Sequence, residues 1–292
     1  MHRLSEYERR ALQEIEAFNS PGSGVLSRAI SYVSDTKAVR WVAGHVPPIP
    51  LSIARPVLKS VQGFLEVLKD ASYWTYSDQV ILRAARREDL AVERIADLAD
   101  KDLDALDKVA RSFIAENKIM SALEGAGTGL GGLALIAADI PAVFAIAFRV
   151  IQQIGASYGF DMKDPNMTPI VLSALGFAAG AEEATKVAAL ADMHMAARLL
   201  ARRLSYKKVA ERTAIGGAIN ALKLASKNLP EEIAKNITKK KLAQMIPFFG
   251  AAVGAGFNYW FISDTSRTAT MLFREMYLAR KYPDLWGTDP SN

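Results

Sequence analysis

The sequence predicts an all-α fold, a compact domain of roughly ten helices if each has the usual length of about 10–14 residues. Three observations support this prediction. Apolar residues recur largely at every third or fourth position, which is the spacing of amphipathic helices. No stretch combines alternating apolar and polar residues with many β-branched side chains, as a strand would. Turn-forming residues mark breaks between predicted helices at four places in the chain. The clearest apolar series is Leu90, Ile95, Leu98, Leu103, Leu106, Val109 and Phe113.

The first predicted helix begins at Ser5-Glu-Tyr-Glu8, where a serine and a glutamate three residues later have capping-box spacing, and it runs toward Phe18. Predicted breaks follow at residues 19–24, 47–50, 161–169 and 229–230, which are rich in Gly, Pro and Asn. We expect N-terminal amphipathic helices within residues 1–55 and the main helical domain within residues 56–292. The chain of 292 residues is long enough to bury a large core.

The composition excludes several classes of protein. The chain has no cysteine, which excludes a disulfide-rich scaffold and cysteine-ligated zinc or iron–sulfur sites. The three histidines, His2, His45 and His194, are too scattered to suggest a metal cluster. Mg²⁺ or Ca²⁺ held by carboxylates stays open, but no motif predicts a metal or another cofactor. Half of the residues are hydrophobic and 23% are charged, so the chain is not intrinsically disordered.

The net charge of +5 is unevenly distributed along the chain. Residues 198–241 contain 12 basic and three acidic residues, a local charge of +9, whereas residues 88–107 carry a local charge of −6. The basic stretch would attract the anionic headgroups of a membrane. A solvated helix face paired with the acidic stretch is the alternative. Nucleic acid is disfavoured, because Tyr206 is the one aromatic residue of the basic stretch. Its membrane-contact candidates include Arg198, Arg202, Lys239 and Lys240.

Two apolar, glycine-containing segments, 125–148 and 242–263, approach the length of a membrane span. The second has no formal charge over its 22 residues, and the first is interrupted by Asp139. We favour buried helices, because glycines at four-residue spacing permit close helix contact, and keep insertion as a short hairpin open. The N-terminus lacks the apolar core of a secretory signal. The glycines concerned are Gly125, Gly129, Gly131, Gly250, Gly254 and Gly256.

The two glycine segments align with each other at a shift of 125 residues. The alignment has seven identities across the 25 positions from 125 to 149, including Asp139 on Asp264 and Arg149 on Arg274. We interpret this as an internal pseudo-repeat, two copies of one helical unit packed about a pseudo-twofold axis. A chance match between glycine-rich runs is the alternative.

Asp139 and Asp264 each follow an apolar stretch, where an unpaired carboxylate would cost free energy. The arginine ten residues later is almost three helical turns away, too far to pair within one straight helix. We therefore expect cross-pairing, Asp139 with Arg274 and Asp264 with Arg149. Capping of a helix start is the alternative, especially before Pro141. Paired carboxylates in acid–base or metal chemistry form a third reading.

Two short motifs resemble catalytic signatures but fit helices better. Gly155-Ala-Ser157-Tyr-Gly159 matches the G-x-S-x-G of hydrolases, which needs a strand before the serine. Here a helical sequence precedes it, so we predict a helix C-terminus with Gly159 in a left-handed cap. The G-x-G-x-x-G string of residues 127–132 also needs a preceding strand, and helix packing explains it better. No phosphate-binding G-x-x-x-x-G-K-[ST] sequence occurs.

Two groups of motifs in this sequence resemble the signatures of the EcsC family of bacterial proteins. The first signature is Glu124-Gly-Ala-Gly-Thr-Gly-Leu-Gly-Gly132, Ala138-Asp-Ile-Pro141, Arg149-Val-Ile-Gln-Gln-Ile154 and Tyr158-Gly-Phe-Asp161. The second extends from Ile246-Pro-Phe-Phe-Gly250 through Asn258 and Asp264 to Phe273-Arg-Glu275 and Lys281-Tyr282. The resemblance covers most of residues 60–283. The family takes its name from a protein encoded beside an ABC exporter. The resemblance implies a mostly cytoplasmic, helical protein at the inner face of the membrane, of undetermined biochemical activity, and no catalytic residue is carried over.

We therefore expect a non-enzymatic helical protein that binds anionic membrane lipid or a membrane transporter through its glycine segments and basic stretch. Tyr259 and Trp260 are candidate interfacial anchors, with core packing as the alternative. A second hypothesis is a hydrolase or other enzyme that uses Asp139, Asp264 or Ser157 in an apolar cavity. A third is a lipid carrier with an internal cavity between the two segments.

Overall fold

A computed structural model of the chain describes residues 4–19, 59, 63, 76–129, 132–179, 197 and 250–283. Within these residues it contains six α-helices, two short 3₁₀ helices and no strand, which confirms the predicted all-α class. The 3₁₀ helices span Ile95–Asp100 and Pro165–Met167. The α-helices are α1 (Glu6–Asn19), α2 (Asp78–Arg87), α3 (Leu103–Gly129), α4 (Gly132–Ser157), α5 (Thr168–Ala179) and α6 (Gly250–Lys281).

Three long helices, α3, α4 and α6, form the centre of the described structure, and α6 packs on both of the others. Phe144 of α4 packs edge-on against Phe261 of α6, with ring centres 5.6 Å apart, and the Phe273 ring lies beside Gly155. Helices α4 and α6 are therefore parallel. Asn117 of α3 donates a hydrogen bond to Gln153 of α4 at 2.7 Å, and Asp107 contacts Tyr158, so α3 runs antiparallel to both.

This arrangement brings the apolar parts of three helices to one end of the bundle. We call it the glycine end and define it as residues 119–129 of α3, 132–143 of α4 and 250–260 of α6. The described part of the first predicted glycine segment is divided between α3 and α4. Residues 250–263 of the second lie within the continuous helix α6, and residues 242–249 lie outside the described residues. The described residues of both segments are helical, as predicted. None of the described helices is long and apolar enough to cross a membrane.

Helix α1 begins with the predicted capping box. The Ser5 hydroxyl accepts a hydrogen bond from the Glu8 N–H at 3.1 Å, and the Glu8 carboxylate accepts one from the Ser5 N–H at 2.8 Å. The helix packs its apolar face on α3 and α6, burying Ala11 and Ile15. Its far end reaches α5, where the ring centres of Phe18 and Phe177 are 5.8 Å apart. The N-terminal helix is thus part of the common core.

Candidate functional site

The C-terminal turn of α4 positions the first element of the site. The Gly159 N–H donates to the Ala156 carbonyl at 3.0 Å, and the Phe160 N–H donates to the Gly155 carbonyl at 3.2 Å. These two bonds, with Gly159 at φ +78°, form a Schellman motif. The predicted left-handed glycine cap is therefore confirmed. The turn ends the helix at Ser157 and holds the side chain of Tyr158 in the core, where it is fully buried.

Both glycines of the G-x-S-x-G motif have packing roles. A Cβ atom on Gly155 would lie 2.3 Å from the Met162 sulfur and 2.7 Å from the Phe273 ring. A Cβ atom on Gly159 would lie 2.6 Å from the backbone nitrogen of Ala99. The Ser157 hydroxyl is buried and donates to the Gln153 carbonyl of its own helix at 2.7 Å. A helix precedes this serine and a turn follows it, so the motif is not a nucleophile elbow.

The buried carboxylate of Asp107, on α3, joins four parts of the chain, and we call the resulting group the Asp107 cluster: Tyr7, Asp107, Tyr158 and Arg274. One carboxylate oxygen accepts hydrogen bonds from the Tyr158 hydroxyl at 2.5 Å and from Arg274 Nε at 3.0 Å. The other accepts from the Tyr7 hydroxyl at 2.5 Å and from Arg274 Nη2. Asp107 is 1% exposed and Arg274 is 8% exposed. The pair is thus a buried, bidentate salt bridge with two phenol donors.

The electrostatics of the cluster keep Tyr158 and Arg274 protonated. Burial, followed by the charge of Asp107, raises the pKa of Tyr158 well above its ordinary value of 10.0. Burial by itself lowers the pKa of Arg274, but its hydrogen bond to Asp107 and the neighbouring charges outweigh this and raise it. Both groups therefore remain hydrogen-bond donors at neutral pH. A carboxylate offers about four lone-pair positions, and four donors occupy those of Asp107. No position is left for a substrate or a metal ion.

Helix α1 completes the cluster through ion pairs with α6. Glu14 pairs with Arg274 Nη1 at 2.6 Å, and the buried Glu8 pairs with Lys281 at 2.9 Å. Glu8 also accepts a hydrogen bond from the Tyr282 hydroxyl at 2.9 Å. Acidic side chains of the first helix thus meet basic side chains near the end of the last described helix.

The contacts of Arg274 correct its predicted partner, which was Asp139. All three guanidinium nitrogens donate to Asp107 and Glu14. Position 139 lies 16 residues before Gly155, about 24 Å along α4 and toward the glycine end. Phe273, the neighbour of Arg274, lies beside Gly155 instead. The pairing is wrong because the parallel packing of α4 and α6 places the two residues toward opposite ends of the bundle.

The other predicted polar residues have different outcomes. Arg149 Nη1 lies 4.0 Å from the Met120 sulfur, and its buried Nε has no hydrogen-bond partner within the described part of the chain. Asp264 lies half-buried on α6, and its pairing with Arg149 stays a prediction. The side chain of Asp139 lies outside the described residues. The register of Phe144 on Phe261 separates positions 139 and 264 by about 12 Å along the bundle, which disfavours a shared proton or metal ion.

At the glycine end, several apolar side chains are exposed to solvent. Ile119 is 61% exposed, Leu123 is 70% exposed and Tyr259 is 48% exposed. Gly256, expected to permit close helix contact, is exposed instead, and across the described ranges no other helix comes within 4 Å of a Cβ placed on it. Gly256 therefore makes no close helix contact within the described ranges. Side-chain surroundings at Gly129, Gly131, Gly250 and Gly254 lie outside the description, and Gly125 is buried.

The two aromatic anchor candidates lie differently on α6. Tyr259 faces solvent, with the ammonium of Lys118 on α3 5.6 Å from its ring centre. Trp260 is half-buried, and its ring centre lies 5.8 Å from that of Phe257. The basic candidates Arg198, Arg202, Lys239 and Lys240 lie outside the described residues. Among the residues that are described, no group of three or more His, Asp or Glu side chains could hold a metal ion.

Sequence reasoning missed the Asp107 cluster, although a signal was present. Asp107 was counted within the acidic stretch, yet it occupies the apolar face of α3, between Leu103, Leu106 and Ala110. A charged residue on a buried helix face needs a partner from another element. Two of its partners, Tyr158 and Arg274, belong to the two separate signatures quoted above. The cluster is where these signatures meet.

Comparison with known proteins gives the family. The model of the EcsC protein family matches residues 36–278, beginning before the domain boundary predicted at residue 56. The uncharacterized protein YdbA of Bacillus subtilis (strain 168) is 24% identical over 220 residues, 75% of each chain. Protein EcsC of the same organism is 27% identical over 183 residues, 59% of this chain and 66% of that protein. No solved structure matches. Because the family model covers most of the sequence, the chain belongs to the EcsC protein family.

Proposed function

We propose that this protein has a binding role, and that it associates with the surface of a bacterial membrane by inserting the glycine end into the lipid headgroup region. The main observation behind this proposal is that the exposed face of α3 changes from charged to apolar along the helix. This face carries Lys108, Arg111 and Glu116 in its first half, then Ile119 and Leu123. A helix whose outer face becomes apolar only at one end suits an interface between water and lipid.

Helix α6 has the same change of polarity beside it. Among the residues of its glycine end whose burial is described, Gly256 and Tyr259 are exposed, whereas Asp264 and Arg267 follow further along the helix. The contact of Lys118 with Tyr259 places the two apolar ends side by side. Several exposed apolar side chains at one end of a helical bundle are a typical feature of a surface that meets a membrane or a partner.

The expected free energies favour membrane binding that combines apolar insertion with electrostatic attraction. Full burial of one leucine or isoleucine side chain contributes roughly 1.5–3 kcal/mol, so a few partly exposed side chains give weak attachment by themselves. The basic stretch at residues 198–241 carries a net charge of +9 in the sequence. Each basic residue near an anionic bilayer contributes about 1 kcal/mol. Weak apolar insertion together with electrostatic attraction is the usual combination for reversible membrane binding.

The residues considered for catalysis support a binding role rather than an enzymatic one. Ser157 donates its hydroxyl to its own helix, and the Asp107 carboxylate has a full set of donors. Positions 139 and 264 are separated along the bundle. Ser157 and Asp107 therefore support the fold, and among the described residues the exposed glycine end is the distinctive surface.

The test is co-sedimentation with protein-free vesicles that contain anionic phospholipid. We expect wild-type protein to bind, and Leu123→Glu to bind about tenfold more weakly, because a charge replaces an apolar side chain that would insert into the bilayer. Ser112→Glu is the matched control. Ser112 is exposed on the same face of α3, 11 residues and about 16 Å before Leu123, and its change should leave binding unaltered. Absence of wild-type binding, or equal losses in both variants, would contradict the proposal.

A further inference from the structure

We infer that Lys118 and Tyr259 form a contact site for the phosphate group of a membrane phospholipid, at the border between the charged and apolar parts of the bundle. The inference rests on the proposed function, because it places this pair at the headgroup level of the bilayer. It adds the chemical class of the ligand and the residues that contact it.

The first support is the state of the Lys118 ammonium. The side chain is half-buried, its nitrogen lies 5.6 Å from the Tyr259 ring centre, and it forms no ion pair with a carboxylate in the described part of the chain. Burial lowers its pKa from the ordinary value of 10.5. A cation that is partly removed from water and rests on an aromatic face retains donors for an incoming anion.

The second support is the position of the pair relative to the apolar patch. Ile119 directly follows Lys118, and Leu123 lies just over one turn further toward the glycine end. Tyr259 exposes its ring on the neighbouring helix. Lysine side chains near helix ends direct their charge to the lipid headgroups while their methylene groups cover apolar surface, and tyrosine is enriched at the same level. On the exposed face of α3, Ile119 and Leu123 lie on the glycine-end side of Lys118 and charged side chains lie on the other side, which defines such a level.

The third support is that the nearest acidic side chain on the exposed face of α3 points elsewhere. Glu116 precedes Lys118 by two residues, so the two side chains project about 160° apart around the helix. Glu116 is therefore not placed to neutralise the ammonium. A phosphate diester has a full negative charge and accepting oxygens, which match the three N–H donors of lysine.

The experiment compares binding to vesicles of phosphatidylcholine with and without phosphatidylglycerol. The variant Lys118→Gln removes the charge and retains a polar side chain, and it should weaken binding to the anionic vesicles about fivefold, the factor for one basic residue at the membrane surface. Lys108→Gln is the matched control. It removes the same charge from an exposed site of the same helix, ten residues further from the glycine end, and should have no effect.

The outcomes separate this inference from the proposed function. If Lys118→Gln and Lys108→Gln both bind like wild type while Leu123→Glu binds about tenfold more weakly, the proposed membrane-binding surface is supported and the phosphate site is overturned. Equal losses in the two lysine variants would also overturn the site, because they would indicate general attraction by net charge. If the wild-type protein binds neither type of vesicle, the proposed function fails first. Circular dichroism of each variant controls for folding.

Discussion

At the scale of single residues, the Asp107 cluster links α1, α3, α6 and the turn after α4. Its salt bridge between Asp107 and Arg274 joins positions 167 residues apart. A buried ion pair gains little over an apolar pair of the same size, but the loss of one partner leaves an uncompensated charge in the core. The charges of the cluster are therefore paired only when the elements around it, including the helices α1 and α6, are packed correctly.

We expect Arg274→Ala and Asp107→Ala each to lower the free energy of unfolding by about 3–5 kcal/mol, because either change leaves the other charge buried without its partner. The double variant should lose much less stability than the sum of the two single losses, since neither charge of the pair remains in the core. Urea denaturation of the four proteins measures this coupling.

A second double-mutant cycle, on Asp139 and Arg274, is the control for the cycle on Asp107 and Arg274. Asp139→Ala and Arg274→Ala should have additive effects, because position 139 is far along α4 from Arg274. Additive losses for Asp107 and Arg274, or strong coupling between Asp139 and Arg274, would contradict the described contacts.

At the scale of secondary structure, α1 is attached to the bundle by acidic side chains that pair with α6. Burial acts to raise the pKa of Glu8, but hydrogen bonds from Lys281, Ser5 and Tyr282 outweigh it, so the pKa lies below its ordinary value of 4.5. A carboxyl group with a lowered pKa stabilises the fold above its unfolded-state pKa. This contribution is lost as the pH falls through the folded-state value. Docking of α1 should therefore weaken in acid.

The Glu8→Gln variant tests this pH dependence. We expect it to be less stable than wild type at neutral pH, and the difference to shrink as the pH falls below 4.5, where wild-type Glu8 also becomes protonated. Denaturant unfolding at several pH values measures the difference. Glu6→Gln is the control, since Glu6 is exposed on the same helix. A constant difference at every pH would argue against a role for the Glu8 charge.

Local sequence patterns were sufficient to predict several elements. The capping box of α1 and the glycine cap after α4 depend on residues within one or two turns, and both are confirmed. The partner of Arg274 was not predictable in this way, because it depends on which helices are neighbours and in which direction they run. The repeat at a shift of 125 residues suggested Asp139, whereas packing brings in Asp107. Exposure of Gly256 likewise depends on tertiary contacts that no local pattern contains.

At the scale of the whole molecule, the described helices separate two kinds of surface. The Asp107 cluster and the ion pairs of α1 lie toward one end of the α3–α4–α6 bundle, and exposed apolar side chains lie toward the other. The overall composition hides this separation, since half hydrophobic residues and a net charge of +5 are ordinary averages. An asymmetric bundle of this kind can meet lipid with one end and keep its charged surfaces in water.

The most direct test of the account is the depth of Leu123 in a bilayer. The chain has no native cysteine, so Leu123→Cys and Ser112→Cys each provide a single site for a polarity-sensitive fluorescent label. With anionic vesicles, the emission of the label at position 123 should shift to shorter wavelength and be quenched by lipid-attached quenchers, while the label at position 112 should not change. Identical responses at the two positions, or no response at position 123, would contradict insertion of the glycine end.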